Sequence, residues 1–102
     1  MKTKVKTIDI NAREWFDKTY GNSYFSAIVT INFQMKNESQ IKLDFQYGYG
    51  DSYRYAGIVA VKKQFPELSP LSDWQMREMG IIIRSNIQRG CLKRDVINYT
   101  AF

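Results

Sequence analysis

Two apolar segments constrain the fold of this chain more than any other feature. The first, SYFSAIVTINF at residues 23–33, is rich in the β-branched and aromatic residues that strands prefer. The second, IKLDFQY at residues 41–47, alternates polar with apolar side chains, which predicts one apolar face composed of Ile41, Leu43, Phe45 and Tyr47. The segment between them, QMKNESQ, is polar and typical of a turn. We therefore predict an antiparallel hairpin over residues 23–47.

The residues before the hairpin predict a strand and a short helix. Residues 4–10, KVKTIDI, alternate, and their lysines are typical of an edge strand protected against stray pairing. Residues 11–22, NAREWFDKTYGN, contain signals for both ends of a helix. Asn11 is suited to the N-cap, Glu14 follows three residues later, and Gly21 supplies a stop.

The main helix is predicted after the hairpin, over residues 52–65. Asp51 or Ser52 can cap its start. An apolar stripe at helical spacing is formed by Ile58, Val61 and Phe65. Pro66 ends the helix at Phe65, because proline disfavours helical geometry in the residue before it.

The last third predicts smaller elements. Ser72 can cap one helical turn, residues 81–87 read as a strand, and residues 91–102 as a last strand or an irregular tail. At 102 residues the chain is expected to form one domain, residues 1–102. We predict an α+β fold with an antiparallel sheet of four to five strands, and one main and one short helix on one face.

Charge and cysteine content limit the partners and the cellular compartment that we expect for this chain. The net charge of +5 suits an anionic partner such as nucleic acid or an acidic protein surface, and it equally serves solubility. No run approaches the roughly 18 apolar residues of a membrane span, and no signal peptide is evident. The one cysteine, Cys91, cannot form an internal disulfide. We therefore expect a cytoplasmic protein without a membrane partner.

The loop QYGYGDSYRY at residues 46–55 is the most unusual local feature, because it carries four tyrosines. In one interpretation the rings seal the end of the core and keep their hydroxyls at the surface. In another, exposed rings stack nucleic-acid bases, or anchor a protein interface in which tyrosine and arginine contribute much of the binding energy. Arg54 lies beside these rings.

Two segments, REWFDKTYGNSYF and FQYGYGDSY, resemble a set of small uncharacterised proteins of tailed phages and related mobile elements. The shared pattern is an aromatic pair, then G-N-S/T-Y, then Y-G-Y-G with a tyrosine three residues on. The matching positions are Trp15, Phe16, Gly21, Asn22, Tyr24, Tyr47, Gly48, Tyr49, Gly50 and Tyr53. The resemblance covers residues 11–56. It implies a viral origin and one groove shared by the two segments, and it implies no activity.

Several kinds of catalytic site are disfavoured. The chain has no histidine, the commonest general base and metal ligand near neutral pH. Zinc fingers and cysteine–histidine catalysis are therefore excluded. The carboxylates of Glu14, Asp17, Asp44 and Asp51 follow no recognisable nuclease spacing. We expect a protein that is not an enzyme and that uses no cofactor and no metal.

Basic side chains suggest a second surface. If the first and last strands are neighbours, one patch is formed by Lys4, Lys6, Arg84, Arg89, Lys93 and Arg94. Such a patch would track phosphates, although a solvated surface is the plainer interpretation.

Two functions follow as expectations. The first is a viral accessory protein that inhibits or redirects a host or defence protein, or a ribonucleoprotein, by binding it. The second is a nucleic-acid-binding module with a tyrosine platform. Both would use a surface composed of Trp15, Asn22, Tyr24, Tyr47, Tyr49, Tyr53 and Arg54, and the nucleic-acid-binding module would also use the basic patch.

Overall fold

Four strands and three α-helices make up the part of the chain that the computed structural model describes, residues 5–99. In chain order the elements are β1 (Thr7–Asp17), β2 (Asn22–Ile31), β3 (Ser39–Tyr47), α1 (Ser52–Gln64), a 3-10 turn (Pro66–Leu68), α2 (Asp73–Glu78), β4 (Ile82–Gln88) and α3 (Lys93–Ile97). The predicted α+β class is confirmed. None of the described helices combines the length and apolar character needed to cross a membrane.

The strands form one mixed sheet in the order β3-β2-β1-β4. The hairpin of β2 and β3 is antiparallel, as predicted, and β1 is antiparallel to β2. The prediction of a purely antiparallel sheet is wrong, because β4 runs parallel to β1. The chain between β3 and β4 contains α1 and α2, and a helical crossover of this kind allows strands to run in the same direction.

The first strand differs from its prediction in both position and length. It lies inside the sheet with a partner on each side, so its assignment to an edge is wrong. The helix predicted over residues 11–22 is also wrong, since β1 continues to Asp17 and a turn leads into β2. Asn11 lies opposite Ile28 in the ladder, and Gly21, with φ +71°, belongs to the hairpin turn. Strand pairing here overrides weak local helix signals.

The two faces of the sheet have different roles. The core face carries apolar side chains from β1 and β2, namely Ile8, Ile10, Ala12, Phe25, Ala27, Val29 and Ile31. Ile58 and Val61 of α1, with Leu68 and Met76, belong to the same buried cluster. Gly57 allows α1 to approach closely, because an added Cβ would lie 2.8 Å from Cδ1 of Ile10. The opposite face, which carries Trp15, Tyr24 and Ser26, is called the outer face.

The predicted end of α1 and the predicted start of α2 are confirmed, whereas Asp51 occupies the N-cap position of α1 without a side-chain cap hydrogen bond. The main helix α1 ends at Gln64 with Phe65 as its C-cap, directly before Pro66. Ser72 caps α2, and its hydroxyl accepts a hydrogen bond from the Gln75 backbone while the Gln75 side chain accepts one from the Ser72 backbone.

The end of the described chain folds onto the outer face. Residues 93–97 form α3 and not the predicted strand or irregular tail. The Ser26 hydroxyl donates a hydrogen bond to the Val96 carbonyl, and the Val96 side chain is fully buried. Helices therefore lie on both faces of the sheet, and not on one face as predicted.

Candidate functional site

A β-bulge in β3 decides which side chains reach the outer face. Ala27 lies opposite Leu43, but Phe25 lies opposite Gln46, so one extra residue of β3 is accommodated between these pairs. Beyond the bulge, alternation along β3 changes sides. Ile41 and Leu43 pack against the core, whereas Phe45 contacts the rings of the outer face. The prediction that these side chains and Tyr47 share one face is therefore wrong.

Four rings form an aromatic cluster on the outer face: Trp15, Tyr24, Phe45 and Tyr47. Tyr24 is the centre of the cluster. It stacks on Trp15 at 5.7 Å and on Phe45 at 5.1 Å between ring centroids, and it meets Tyr47 edge-on at 5.8 Å. These separations are those of favourable aromatic pairs. The cluster is therefore a set of mutually fixed rings, in which Tyr47 remains 60% exposed.

Cations from β1 and α3 lie beside the cluster. Lys93 Nζ is 5.1 Å from the Trp15 ring centroid. Arg13 belongs to β1. Its guanidinium lies 4.3 Å from the Tyr99 ring centroid and donates a hydrogen bond to the Asp95 carbonyl. Both contacts have the geometry of cation–π pairs. They hold α3 against the side of the aromatic cluster.

Steric constraints require glycine at two positions of the loop formed by residues 46–55. Gly48 is buried, and an added Cβ would lie 2.6 Å from the Phe25 ring. Gly50 has φ +60°, a conformation that residues with side chains rarely adopt. Between these glycines Tyr49 projects to the surface with 69% of its area exposed. The segment between the two glycines thus lies close against the core while the Tyr49 ring is exposed to solvent.

The other predicted binding residues have structural roles. Tyr53 is only 6% exposed and belongs to the hydrophobic core. Arg54 forms an ion pair with Asp73, which links α1 to α2. Asn22 is the first residue of β2 and lies opposite Asp17 in the ladder. The structure therefore brings Trp15, Tyr24 and Tyr47 of the predicted surface into one cluster. Tyr53, Arg54 and Asn22 lie outside that cluster.

Further exposed rings lie at the same end of the sheet. This end contains the β1–β2 turn, the end of β3 and the start of α1. Its exposed rings are Phe16 (47%), Tyr20 (78%), Tyr47 (60%), Tyr49 (69%) and Tyr55 (75%). The eight residues comprising the aromatic cluster with Phe16, Tyr20, Tyr49 and Tyr55 are called the aromatic end. Sequence reasoning missed Phe45 for this surface because nothing local in β3 signals the bulge.

The predicted basic patch is largely occupied by internal contacts. Arg84 donates two hydrogen bonds to Asp9, at 2.6 and 3.1 Å, and these bonds raise the pKa of the guanidinium above its ordinary value. Arg89 forms an ion pair with Glu14 at 2.9 Å. Lys93 lies over Trp15, whereas Lys6 and Arg94 are exposed. Lys4 lies outside the described residues.

The remaining chemistry of the described chain is limited. Across residues 5–99, no group of three or more Asp, Glu and Cys side chains is placed to hold a metal ion. Comparisons of the chain with protein-family models, curated proteins and solved structures find no match. The resemblance to small phage proteins therefore stays an expectation. The aromatic end is the surface on which a function can be argued.

Proposed function

We propose that this chain is a small phage-type accessory protein that acts without catalysis, by binding a host or defence protein in the host cytoplasm through its aromatic end. One observation carries the proposal. Four partly or largely exposed rings, Phe16, Tyr20, Tyr49 and Tyr55, share one end of the sheet with the stacked aromatic cluster. The resemblance of the Trp15 and Tyr49 segments to small phage proteins supports the viral setting.

The physical argument rests on preorganisation. Aromatic side chains bring a large contact area at a small cost in conformational entropy, and tyrosine also offers a hydroxyl for hydrogen bonding. Stacking fixes the rings of Trp15, Tyr24 and Phe45 before any partner arrives, which reduces the cost of ordering them on binding. Single exposed apolar residues are ordinary on protein surfaces, but contiguous apolar patches mark interaction sites.

A second candidate, single-stranded nucleic acid, is favoured by the position of Lys93 beside Trp15. A cation next to a ring is the arrangement that holds a phosphate while a base stacks. The ion pairs of Arg84 and Arg89 lessen this case, since their charges are already partly neutralised by Asp9 and Glu14. We therefore place a protein partner first.

The test is capture from bacterial lysate with tagged wild-type protein and two surface variants. The first variant combines Tyr20→Ala with Tyr49→Ala, which removes two exposed rings of the aromatic end and no core contact. The matched control is Trp74→Ala, since Trp74 is an equally exposed ring (68%) on α2. The proposal expects one partner protein to be retained by wild type and control and lost by the double variant.

Two outcomes would contradict the proposal. One is recovery of no protein above background from any host lysate. The other is a partner held equally well by wild type and by the Tyr20→Ala, Tyr49→Ala variant, which would place the interface elsewhere. Recovery of nucleic acid alone, sensitive to moderate salt, would favour the second candidate.

A further inference from the structure

The outer edge of β3 is open. In residues 5–99, β3 pairs with β2 on one side and with no strand on the other. The bulge beyond Leu43 interrupts the regular ladder of this edge, so its backbone donors and acceptors can template pairing with another strand over residues 39–44. Natural proteins either protect such an edge against pairing or use it to bind another strand.

The charges along β3 are complementary to themselves. Lys42 and Asp44 are both exposed, flank Leu43, and form no ion pair within the described part of the chain. In an antiparallel pair of two β3 strands centred on Leu43, Lys42 of one copy faces Asp44 of the other, and the reverse contact follows by symmetry. A lysine that would repel an arbitrary strand thus meets a carboxylate in a second copy of this chain.

The neighbouring groove offers a second pair of complementary side chains. A groove of about 450 Å³ lies between β3 and α1, and its walls include Leu43, Tyr55, Ala56, Val59, Ala60 and Lys63. Tyr55, Val59 and Lys63 are four residues apart along α1 and therefore form one stripe. Across a two-fold axis the two α1 helices are antiparallel. A stripe centred on Val59 then places Tyr55 of one copy against Lys63 of the other, a cation–π pair.

We propose that this chain forms a symmetric dimer in which the two β3 strands pair antiparallel about Leu43 and join two four-stranded sheets into one. The interface buries the open edges and the apolar groove walls of both copies. Tyr55 of the aromatic end is buried in this interface, whereas Trp15, Tyr20 and Tyr49 stay outside it, one set at each end of the joined strands, because the two strands run in opposite directions. The dimer therefore presents two copies of the rest of the proposed binding surface.

The test is sedimentation equilibrium of the full chain from about 1 μM to 1 mM, a range that covers weak and moderate association. We expect the mass to rise with concentration from 12.0 kDa toward twice that value. Lys42→Asp replaces two attractive contacts with two repulsive ones and should raise the dissociation constant about tenfold. The double variant with Lys42→Asp and Asp44→Lys restores both contacts and should recover most of that loss.

The matched control is Lys36→Asp, which makes the same change of net charge in the exposed β2–β3 turn and should leave the dissociation constant unchanged. Val59→Arg tests the groove independently and should also disperse the dimer. Circular dichroism confirms that each variant is folded. A monomer throughout the concentration range, equal effects of Lys42→Asp and Lys36→Asp, or no recovery in the double variant would each overturn the proposal.

Discussion

Tyr24 and Phe45 stack with their ring centroids 5.1 Å apart and their planes 9° from parallel, although uninterrupted alternation along β3 would place them on opposite faces of the sheet. The bulge opposite Ser26 brings them together. A local irregularity of one residue therefore builds the aromatic cluster, and β-bulges are known to re-aim side chains in this way.

The first prediction concerns Phe45. Phe45→Ala removes ring contacts with both Tyr24 and Trp15, and we expect it to lower the free energy of unfolding by about 2 kcal/mol, a value below that of a fully buried ring. Urea unfolding followed by tryptophan fluorescence measures the change. The control is Phe33→Ala in the β2–β3 turn, where half of the ring is exposed. Equal destabilisation by the two substitutions would show that the stack contributes nothing specific.

The second prediction concerns Gly48. Gly48→Ala places a Cβ 2.6 Å from the Phe25 ring, and we expect a loss of about 1–3 kcal/mol in the free energy of unfolding from overpacking. Phe25→Leu shortens the side chain that is in the way. In a double-mutant cycle the two substitutions should therefore cost less together than the sum of their separate effects. Strictly additive losses of unfolding free energy would mean that atoms other than the Phe25 ring move to accommodate the new Cβ.

The sequence predicted those elements whose local signals agree with their tertiary surroundings. β-branched and aromatic content identified β2, alternation identified β3, Pro66 marked the end of α1, and Ser72 marked the start of α2. The helix predicted at residues 11–22 failed because Asn11 and Gly21 are cap residues that serve equally in a strand and a turn. Pairing of β1 with β2 over ten residue pairs decides between these possibilities, and that pairing is not visible in the local pattern.

The candidate site was only partly accessible from the sequence. Trp15, Tyr24 and Tyr47 were predicted to lie together, and they do. Tyr53 was assigned to the surface with them, but its position in the first turn of α1 directs it into the core. Phe45 was placed on one face with Ile41 and Leu43, because the bulge that separates them follows from the mismatch of two strands and not from the residues of one strand.

The third prediction concerns the attachment of α3. Ser26→Ala removes the hydroxyl that donates to the buried Val96 carbonyl, and we expect it to cost about 1–2 kcal/mol and to loosen α3. Since Lys93 lies over Trp15, the tryptophan fluorescence should change before global unfolding begins. Ser85→Ala on the exposed surface of β4 is the control, and its effect should stay within about 0.5 kcal/mol. An unchanged fluorescence signal in Ser26→Ala would show that the docking of α3 does not depend on this hydrogen bond.

The fourth prediction separates a protein partner from a nucleic-acid partner at the aromatic end. If the rings serve a protein, oligonucleotides should bind only through unspecific charge attraction, with dissociation constants of roughly 10⁻⁴ to 10⁻⁶ M at physiological salt. Tyr47→Ala should then leave oligonucleotide binding unchanged, because the ring stacks no base, while Lys93→Ala weakens it slightly. Gel shifts with single-stranded and duplex oligonucleotides at two salt concentrations provide the measurement. Tighter single-strand binding that is lost in Tyr47→Ala and kept in Trp74→Ala would assign the aromatic end to base stacking, since only unpaired bases can lie on an exposed ring.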